Sequence, residues 1–340
     1  MNKRTRRTLL IVAAVLILLA VAVFLRSKAP PEAARLLPES DGIIYIDLKP
    51  VHTFFRKDLK PPEHAAEYQQ FIDAIGIDPE RDLDEAAIAL HRMADPSGPN
   101  GPVAYSMVLV GKITGKRLNG WLDAHSTARE SYAGHTVYSI PSENRTVRVA
   151  QIGYDMVAVS NTPTPEQIHS MLDRHSTAAW PFAGSTLLRQ HYHDVPLLSL
   201  AWGVGQIGLP LAGEHGGAIN ILGFALPLQA DSTIIASITP ALSLGGSLNV
   251  KVVEIAPSSS KAASQSDALN MLLIMVRGIA SPLAGNAANK GLKELLRTAE
   301  VKQEHDRVVV TATLDRSLFS GSPESPPPPA ESTSVPGTSK

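Results

Sequence analysis

Two histidine clusters in this chain have residue types and spacing that could move protons or hold a metal ion. The first is His191-Tyr192-His193-Asp194. Paired imidazoles beside a carboxylate suit a zinc-like ion, provided that they share a face. On a strand, positions i and i+2 do so; on a helix they point to nearly opposite sides. The preceding Ser185-Thr186-Leu187-Leu188-Arg189-Gln190 starts like a short helix, which separates the two rings. Spacing marks no third ligand; His215, in the loop Gly213-Glu214-His215-Gly216-Gly217, is the remaining candidate. A metal-dependent hydrolase on His191, His193 and His215 is the reading that the spacing supports least.

The second cluster comes in duplicate. Trp121-Leu122-Asp123-Ala124-His125-Ser126-Thr127-Ala128 returns as Met171-Leu172-Asp173-Arg174-His175-Ser176-Thr177-Ala178, with six of eight positions identical. The same offset sets Met107-Val108-Leu109-Val110 near Met156-Val157-Ala158-Val159. A strand–turn–helix unit used twice would place His125 and His175 as symmetry-related ligands or acid–base groups. The simpler account is that each imidazole ends its helix, where the negative end of the helix dipole favours it, and Ser-Thr then closes the helix. We therefore expect no catalytic residue, no metal and no cofactor.

Other motifs fail on context. Gly203, Gly205 and Gly208 mimic a dinucleotide fingerprint, but Pro210 follows and no amphipathic helix begins there. The 213–217 loop lacks the Lys-Ser/Thr close of a phosphate loop. No nucleophile elbow and no S-x-x-K motif occurs. Asp82, Asp84 and Glu85 read as a solvated turn, and Asn144-Arg145-Thr146 is a formal glycosylation sequon. Zero cysteine excludes disulfides and thiolate sites, and a net charge of −1 gives no basic surface for nucleic acid.

Five stripes at i, i+3, i+4, i+7 predict the helices that must position any site: Tyr68-Phe71-Ile72-Ile75, Leu118-Trp121-Leu122-His125, Ile168-Met171-Leu172-His175, Leu269-Leu272-Leu273-Val276 and Leu292-Leu295-Leu296-Ala299. Pro61-Pro62 and Pro163-Thr164-Pro165 precede two of them, as suits helix starts. Strands are expected at 42–48, 86–90, 103–111, 135–140, 146–152, 155–160, 197–204, 219–226, 233–238, 247–255, 300–302 and 307–314, with a hairpin loop at 303–306. The strand, helix and hairpin of 247–314 loosely echo those of 103–160. The fold class is thus α+β: two related lobes of mostly antiparallel sheet, amphipathic helices packed on one face, preceded by one N-terminal transmembrane helix.

That helix is Leu9–Leu25, an unbroken apolar run behind Lys3, Arg4, Arg6 and Arg7 and closed by Arg26 and Lys28. A basic head on such a run is an export address with the N-terminus cytoplasmic and the body extracytoplasmic. The run sits at the short end of a membrane span. Ala20-Val21-Ala22 offers a cleavage site, so secretion after cleavage near Ala22 is the alternative; Val23-Phe24-Leu25 continues the run past it. The chain then divides into 1–28, head and signal anchor; 29–185, first lobe; 186–320, second lobe; and 321–340, a disordered Pro/Ser-rich tail.

From Val195 to Val250 no Lys or Arg occurs, and Glu214 and Asp231 are the only acids. Strands buried in a sheet read this way, and so does an apolar groove or lipid-facing surface. Its glycines and prolines argue against a second membrane helix.

Pro38-Glu39-Ser40-Asp41-Gly42-Ile43-Ile44-Tyr45-Ile46-Asp47-Leu48, then Gly76-Ile77-Asp78-Pro79-Glu80-Arg81-Asp82-Leu83, and the closing Ala299-Glu300-Val301 and Arg307-Val308-Val309-Val310-Thr311-Ala312-Thr313-Leu314 resemble signal-anchored bacterial envelope proteins with a large exported domain of unknown function. The resemblance covers most of 36–319 through loose patterns. It implies an exported sheet-and-helix domain in tandem and carries over no site residue. The expected role is a membrane-tethered extracytoplasmic binding or scaffolding protein of the cell envelope, without catalysis. Its partners would be the membrane through Leu9–Leu25, and another envelope protein or a lipid. The alternative is a lipid- or peptide-binding domain that uses 195–250.

Overall fold

The computed structural model describes residues 29–54, 65–97, 101–113, 115–177, 183–206, 218–221, 224–227, 232–241, 247–280 and 287–314. The apolar run Leu9–Leu25, Pro61-Pro62, His215 with its glycine loop, and the tail 321–340 lie outside them.

The chain is α+β, built on a large antiparallel sheet with several helices. In chain order the elements are α1 (Glu32–Leu36), β1 (Gly42–Asp47), α2 (Lys49–Phe54), α3 (Ala66–Ile75), α4 (Pro79–Asp82), β2 (Leu83–Arg92) and β3 (Val103–Gly111). Then follow α5 (Gly115–His125), β4 (Ala128–Tyr132), β5 (His135–Ser142), β6 (Arg145–Ile152), β7 (Met156–Ser160), α6 (Glu166–Ser176) and α7 (Thr186–His191). The remainder is a 3₁₀ turn (Tyr192–Asp194), β8 (Ala201–Gln206), β9 (Ala218–Ile221), β10 (Phe224–Pro227), β11 (Thr233–Pro240), β12 (Leu248–Ile255), α8 (Ser259–Ala280), α9 (Ala287–Thr298), β13 (Glu300–Glu304) and β14 (Arg307–Leu314).

Twelve strands form one sheet in the order β13-β14-β12-β11-β8-β1-β2-β3-β7-β6-β5-β4, and β9–β10 is a separate hairpin. The spans expected as two lobes are joined at a seam, where β1 pairs antiparallel with β8 and Ile44 faces Gly203. Counted outward from that seam, one half runs β1-β2-β3-β7-β6-β5-β4 and the other β8-β11-β12-β14-β13. In each, a helical excursion follows the third strand: α5 after β3, and α8 with α9 after β12.

Helices pack on both faces of this sheet rather than on one. Alternate residues along a strand point to opposite sides, and the core clusters follow that alternation. Ile43, Tyr45, Ala87, Ala89, Val108, Ala158, Trp202, Val204, Ile235, Val253 and Val309 share one face with α1, α6 and α7. Ala33 and Ala34 of α1 are fully buried there, on a side where the strands offer Ala87 and Ala89; small residues on both partners allow close approach. Tyr45 stacks on Trp202 at 5.5 Å between ring centres, which ties the seam on the same side. The other face carries two separate helical caps. Ile75 of α3 and Leu118 and Leu122 of α5 cover Val149 and Val157. Ala262 and Leu269 of α8 meet Val308, next to the oppositely directed Val309. An apolar stripe establishes that a helix has a buried side; it carries no record of which side of the sheet receives it.

The repeated segments illustrate this. They are β3–α5 and β7–α6, and their strands lie side by side with Met107 facing Val159. Adjacent antiparallel strands exit at opposite ends of the sheet, and the two helices settle on opposite faces.

Local signals set the joints. Gly76 ends α3 at φ +70° and donates its N–H to Ile72 O at 2.8 Å, a left-handed cap that glycine adopts without strain. A Cβ at Gly111 would collide with the Asp82 carbonyl, so the β2–β3 bulge demands glycine there. Asp78 and Ser185 cap α4 and α7 through their side chains. Three expectations shift. Strand β8 begins at Ala201, because Leu198 adopts φ +64° in a turn before it, with its side chain 82% exposed. The 219–226 strand is two short strands of a hairpin. The loop of the last hairpin is tightened to His305-Asp306, with His305 at φ +59°.

Candidate apolar site on the open face

The charge-poor stretch from Val195 supplies β8 and β11, central strands of the sheet. Trp202, Val204 and Ile235 point to the buried side. The opposite phase is equally apolar yet only half-buried. Register places Ile44 beside Ile88 and Gly203, and Ala201 between Ile46 and Ile238. Ile46, Ile88, Ile234 and Ile238 are half-buried, and Ile44 is 38% exposed. Between the α3–α5 cap and the α8–α9 cap the sheet thus presents an aliphatic floor. Gly203 is its lowest point; a Cβ there would make only ordinary contacts, the nearest at 3.5 Å from Ile43 O. Glycine is therefore not required by packing at that position. Its effect is to leave room beside Ile44.

The flank at α8 is apolar outside as well as inside. Met271, Ile274 and Met275 fall at i, i+3, i+4 and are 68%, 69% and 50% exposed. Beside them, α8, α9 and the start of β13 bound an open groove of about 780 Å³, whose lining includes Leu273, Arg277, Arg297 and Lys302. Arg277 donates to the carbonyls of Leu296, Arg297 and Ala299 at 2.6–3.4 Å, at the negative end of α9. Arg297 pairs with Glu294 and Lys302 with Glu300, all within 2.6–2.8 Å.

The buried polar groups belong mostly to the closed face. His91 Nε2 lies 2.9 Å from Ser106 Oγ, which lies 3.1 Å from Ser160 Oγ, in turn 2.9 Å from Thr162 Oγ1. A serine at hydrogen-bond distance from an imidazole is the start of a nucleophile–base pair. Here both are buried, and burial holds the His91 pKa below its ordinary value. The ladder satisfies polar groups across β2, β3 and β7. Its members stand in phase with Ala87, Ala89, Ala104 and Val108, and a polar residue on the apolar phase was the only hint in the sequence.

Glu254, on the open-face phase of β12, is 4% exposed; neither carboxylate oxygen has a hydrogen-bond partner. Ser232 is close enough to favour its charged form slightly, short of a formed bond, and burial raises its pKa.

The histidines singled out by spacing are scattered. His191 ends α7, half-buried and with its pKa lowered chiefly by burial. His193 follows in the 3₁₀ turn, its side chain exposed, with Nε2 3.4 Å from Asp194; Asp194 is held by Arg307 at 2.6 Å. Among the described residues no three His, Asp or Glu side chains gather as a metal site. His125 closes α5 with Nδ1 2.8 Å from Trp121 O and its ring stacked on Trp121 at 4.3 Å. His175 lies edge-on to His135 at 6.0 Å on the other face. The two repeat-related histidines are therefore kept apart by the sheet.

One ionisable cluster was not visible from spacing. Tyr132 stacks on His169 at 3.7 Å and donates to Asp173 at 3.0 Å, while His169 Nε2 lies 2.7 Å from Glu130. It clamps the edge strand β4 to α6 at the surface.

No protein-family model and no curated protein matches the chain. Solved structures align over most of its length. Crystal form III of TP0453 does so at 12% identity, over 86% of this chain and 97% of that one, with a TM-score of 0.46. Crystal form IV of TP0453 aligns at 11% identity, over 85% and 94%, with a TM-score of 0.44.

Proposed function

We propose that the chain is a membrane-tethered extracytoplasmic binding protein of the cell envelope that holds an apolar ligand, a lipid acyl chain or an apolar peptide, on the open face of its sheet. The observation that carries this reading is the floor around Ile44 and Gly203: aliphatic side chains left half-exposed at the centre of a sheet whose other side buries Tyr45, Trp202, Val204 and Ile235. Sites for apolar ligands are concave and aliphatic, with few polar groups, and the charge-poor strands supply that lining. The basic-headed run Leu9–Leu25 supports the tether and the export, with the N-terminus in the cytoplasm. Among the described residues no helix is long and apolar enough to cross a membrane, which leaves that run as the candidate span. The first five strands on each side of the β1–β8 seam follow a matched order, with β5 and β4 extending one side alone, and this supports reading 29–185 and 186–320 as related lobes, as in the signal-anchored envelope proteins that the sequence resembles.

The test is binding of a fluorescent fatty acid to the full chain, with native mass spectrometry of co-purified lipid. Wild type should bind the probe and release it to unlabelled lipid. Ile44→Asp should abolish binding by placing a charge on the floor, and Gly203→Val should weaken it by filling the lowest point. Equal binding by all three proteins would sink the reading. A C-terminal fusion reporter that is active only in the cytoplasm would sink the topology.

A further inference from the structure

The floor has a polar corner that an apolar ligand leaves unused. Ser232 Oγ, both carboxylate oxygens of Glu254 and Gln265 Nε2 are buried and have no hydrogen-bond partner among the described residues. The three residues are 0%, 4% and 5% exposed. Buried polar groups in folded proteins are almost always paired, so three such side chains in one place call for a partner. Register brings them together. Glu254 lies opposite Ile234 on one side and Val308 on the other. Ser232 stands just before β11, in phase with Ile234 and diagonal to Glu254. Ala262 of α8 rests on Val308, and Gln265 stands one turn further along the same buried line of the helix.

This corner continues the floor. In one row of the sheet Gly42, Gly205, Ile234 and Glu254 are successive register partners. Strand β8 offers only Ala201, Gly203 and Gly205 to the open face. An alkyl chain laid along those small residues ends two strand spacings, roughly 10 Å, from the Glu254 backbone, with Ile234 between. Charge selects the end group. Among the described residues no charged side chain of the neighbouring elements faces Glu254. Lys251 and Arg307 stand on the opposite strand phase, Lys261 and Asp267 on the exposed side of α8, and β11 carries no charge. A hydroxyl or amide guest would be served as well by a glutamine at this position. What an acid adds is negative charge, and burying that charge is costly unless a cation comes with it.

We propose that the open face takes an amphiphile with a primary ammonium end, with Glu254 as its counter-charge and Ser232 and Gln265 completing the hydrogen bonds. The inference rests on the floor as the seat of the alkyl chain and adds which end group is chosen. The three N–H groups of the ammonium are shared between the Glu254 carboxylate and Ser232 Oγ, and the Gln265 amide donates to a carboxylate oxygen. Where Glu254 holds a proton before binding, that proton leaves to water as the ammonium enters, so no net charge is buried. A fatty acid can still lie on the floor with its carboxylate turned away from Glu254.

The test uses the full chain and three competitors of equal chain length: dodecylamine, dodecanol and dodecanoate. Each displaces the fluorescent fatty acid from wild type and from Glu254→Gln in the same detergent, whose uptake of each competitor is common to both proteins and cancels. Relative to dodecanol, dodecylamine should lose roughly tenfold or more in displacing power when Glu254 becomes glutamine. The wild-type preference for the amine should also shrink as the pH falls, because a proton on Glu254 removes the counter-charge while the ammonium keeps its own. The same ranking of the three competitors in both proteins would overturn the inference, assign the corner to bound water, and leave the floor standing. A wild-type preference for dodecanoate that the variant loses would overturn it too, giving the corner to an acid. If no chain binds saturably to either protein, the floor fails, and this inference fails with it.

Discussion

The two faces of the same twelve-stranded sheet are built from similar residues and reach different ends. On the closed face α1, α6 and α7 bury Tyr45, Trp202 and Ile235 almost completely. On the open face two caps cover the flanks and leave Ile44, Ile88 and Ile238 half-exposed between them. Composition does not separate these faces, since both are aliphatic. What separates them is where the connections return. The segment before β1 and the long link between β7 and β8 place α1, α6 and α7 on the closed face; the links after β3 and β12 place α5 and α8 over the flanks of the other. Among the described residues burial is thus concentrated on one side of the sheet, and the centre of the other side stays partly exposed.

Five measurements would sharpen or break this contrast. The largest effect is expected at Met171, fully buried on the inner side of α6: Met171→Ala should cost about 2–5 kcal/mol in urea denaturation, as cavity-forming truncations do. Next is the polar ladder of the same face. Ser106→Ala leaves the buried His91 ring short of its partner and should cost about 1–3 kcal/mol. The same ring gives a pH signature. Its folded pKa is lowered by burial, so the unfolded chain takes the proton first on acidification. Stability is full above the unfolded value of about 6.5 and falls as the pH drops from there through the lowered folded value. Stability that is flat across that window would contradict the buried, neutral state of His91.

Glu254, on the open-face phase, works in the other direction. Burial raises its pKa, so the folded protein holds the proton longer than the unfolded chain. It carries no penalty below the unfolded carboxylate value, and stability is lost as pH rises from there through the raised folded value. Glu254→Gln should therefore stabilise the protein at neutral pH by about 1 kcal/mol and have no effect in acid. The smallest effect belongs to the floor. Ile44→Ala should change stability by no more than about 0.5 kcal/mol while weakening fatty-acid binding. If it cost as much as Met171→Ala, the two faces would be equivalent in solution and the contrast would fall.

The sequence exposed the parts of this architecture that repeat locally. The stripe Ile168-Met171-Leu172 located α6, and the alternation from Arg307 to Leu314 located β14. Strand β4 escaped because Ala128-Arg129-Glu130-Ser131-Tyr132 is an edge with almost no buried phase to show. Leu197 and Leu198 misled in the opposite sense, as apolar residues spent on an exposed turn. The floor was half legible. Missing charge from Val195 onward marked apolar strands, but β1 and β2 complete the surface from far away in the chain. The His91–Ser106–Ser160 ladder and the Tyr132–His169–Asp173 cluster depend on pairings between distant segments, which no local period encodes.

The β1–β8 seam has a consequence in time. In the finished sheet the two outer strands, β4 and β13, are short and carry charges that discourage pairing with other chains. A chain that emerges N-terminus first can assemble β1 through β7 before β8 exists, and throughout that interval Gly42-Ile43-Ile44-Tyr45-Ile46-Asp47 is a bare, apolar edge. Closing it requires a contact of high sequence separation, the slow kind of folding step. The vulnerable species for aggregation is therefore the half-made molecule and not the native one, and whatever escorts this chain during synthesis has its task set by six residues near the start.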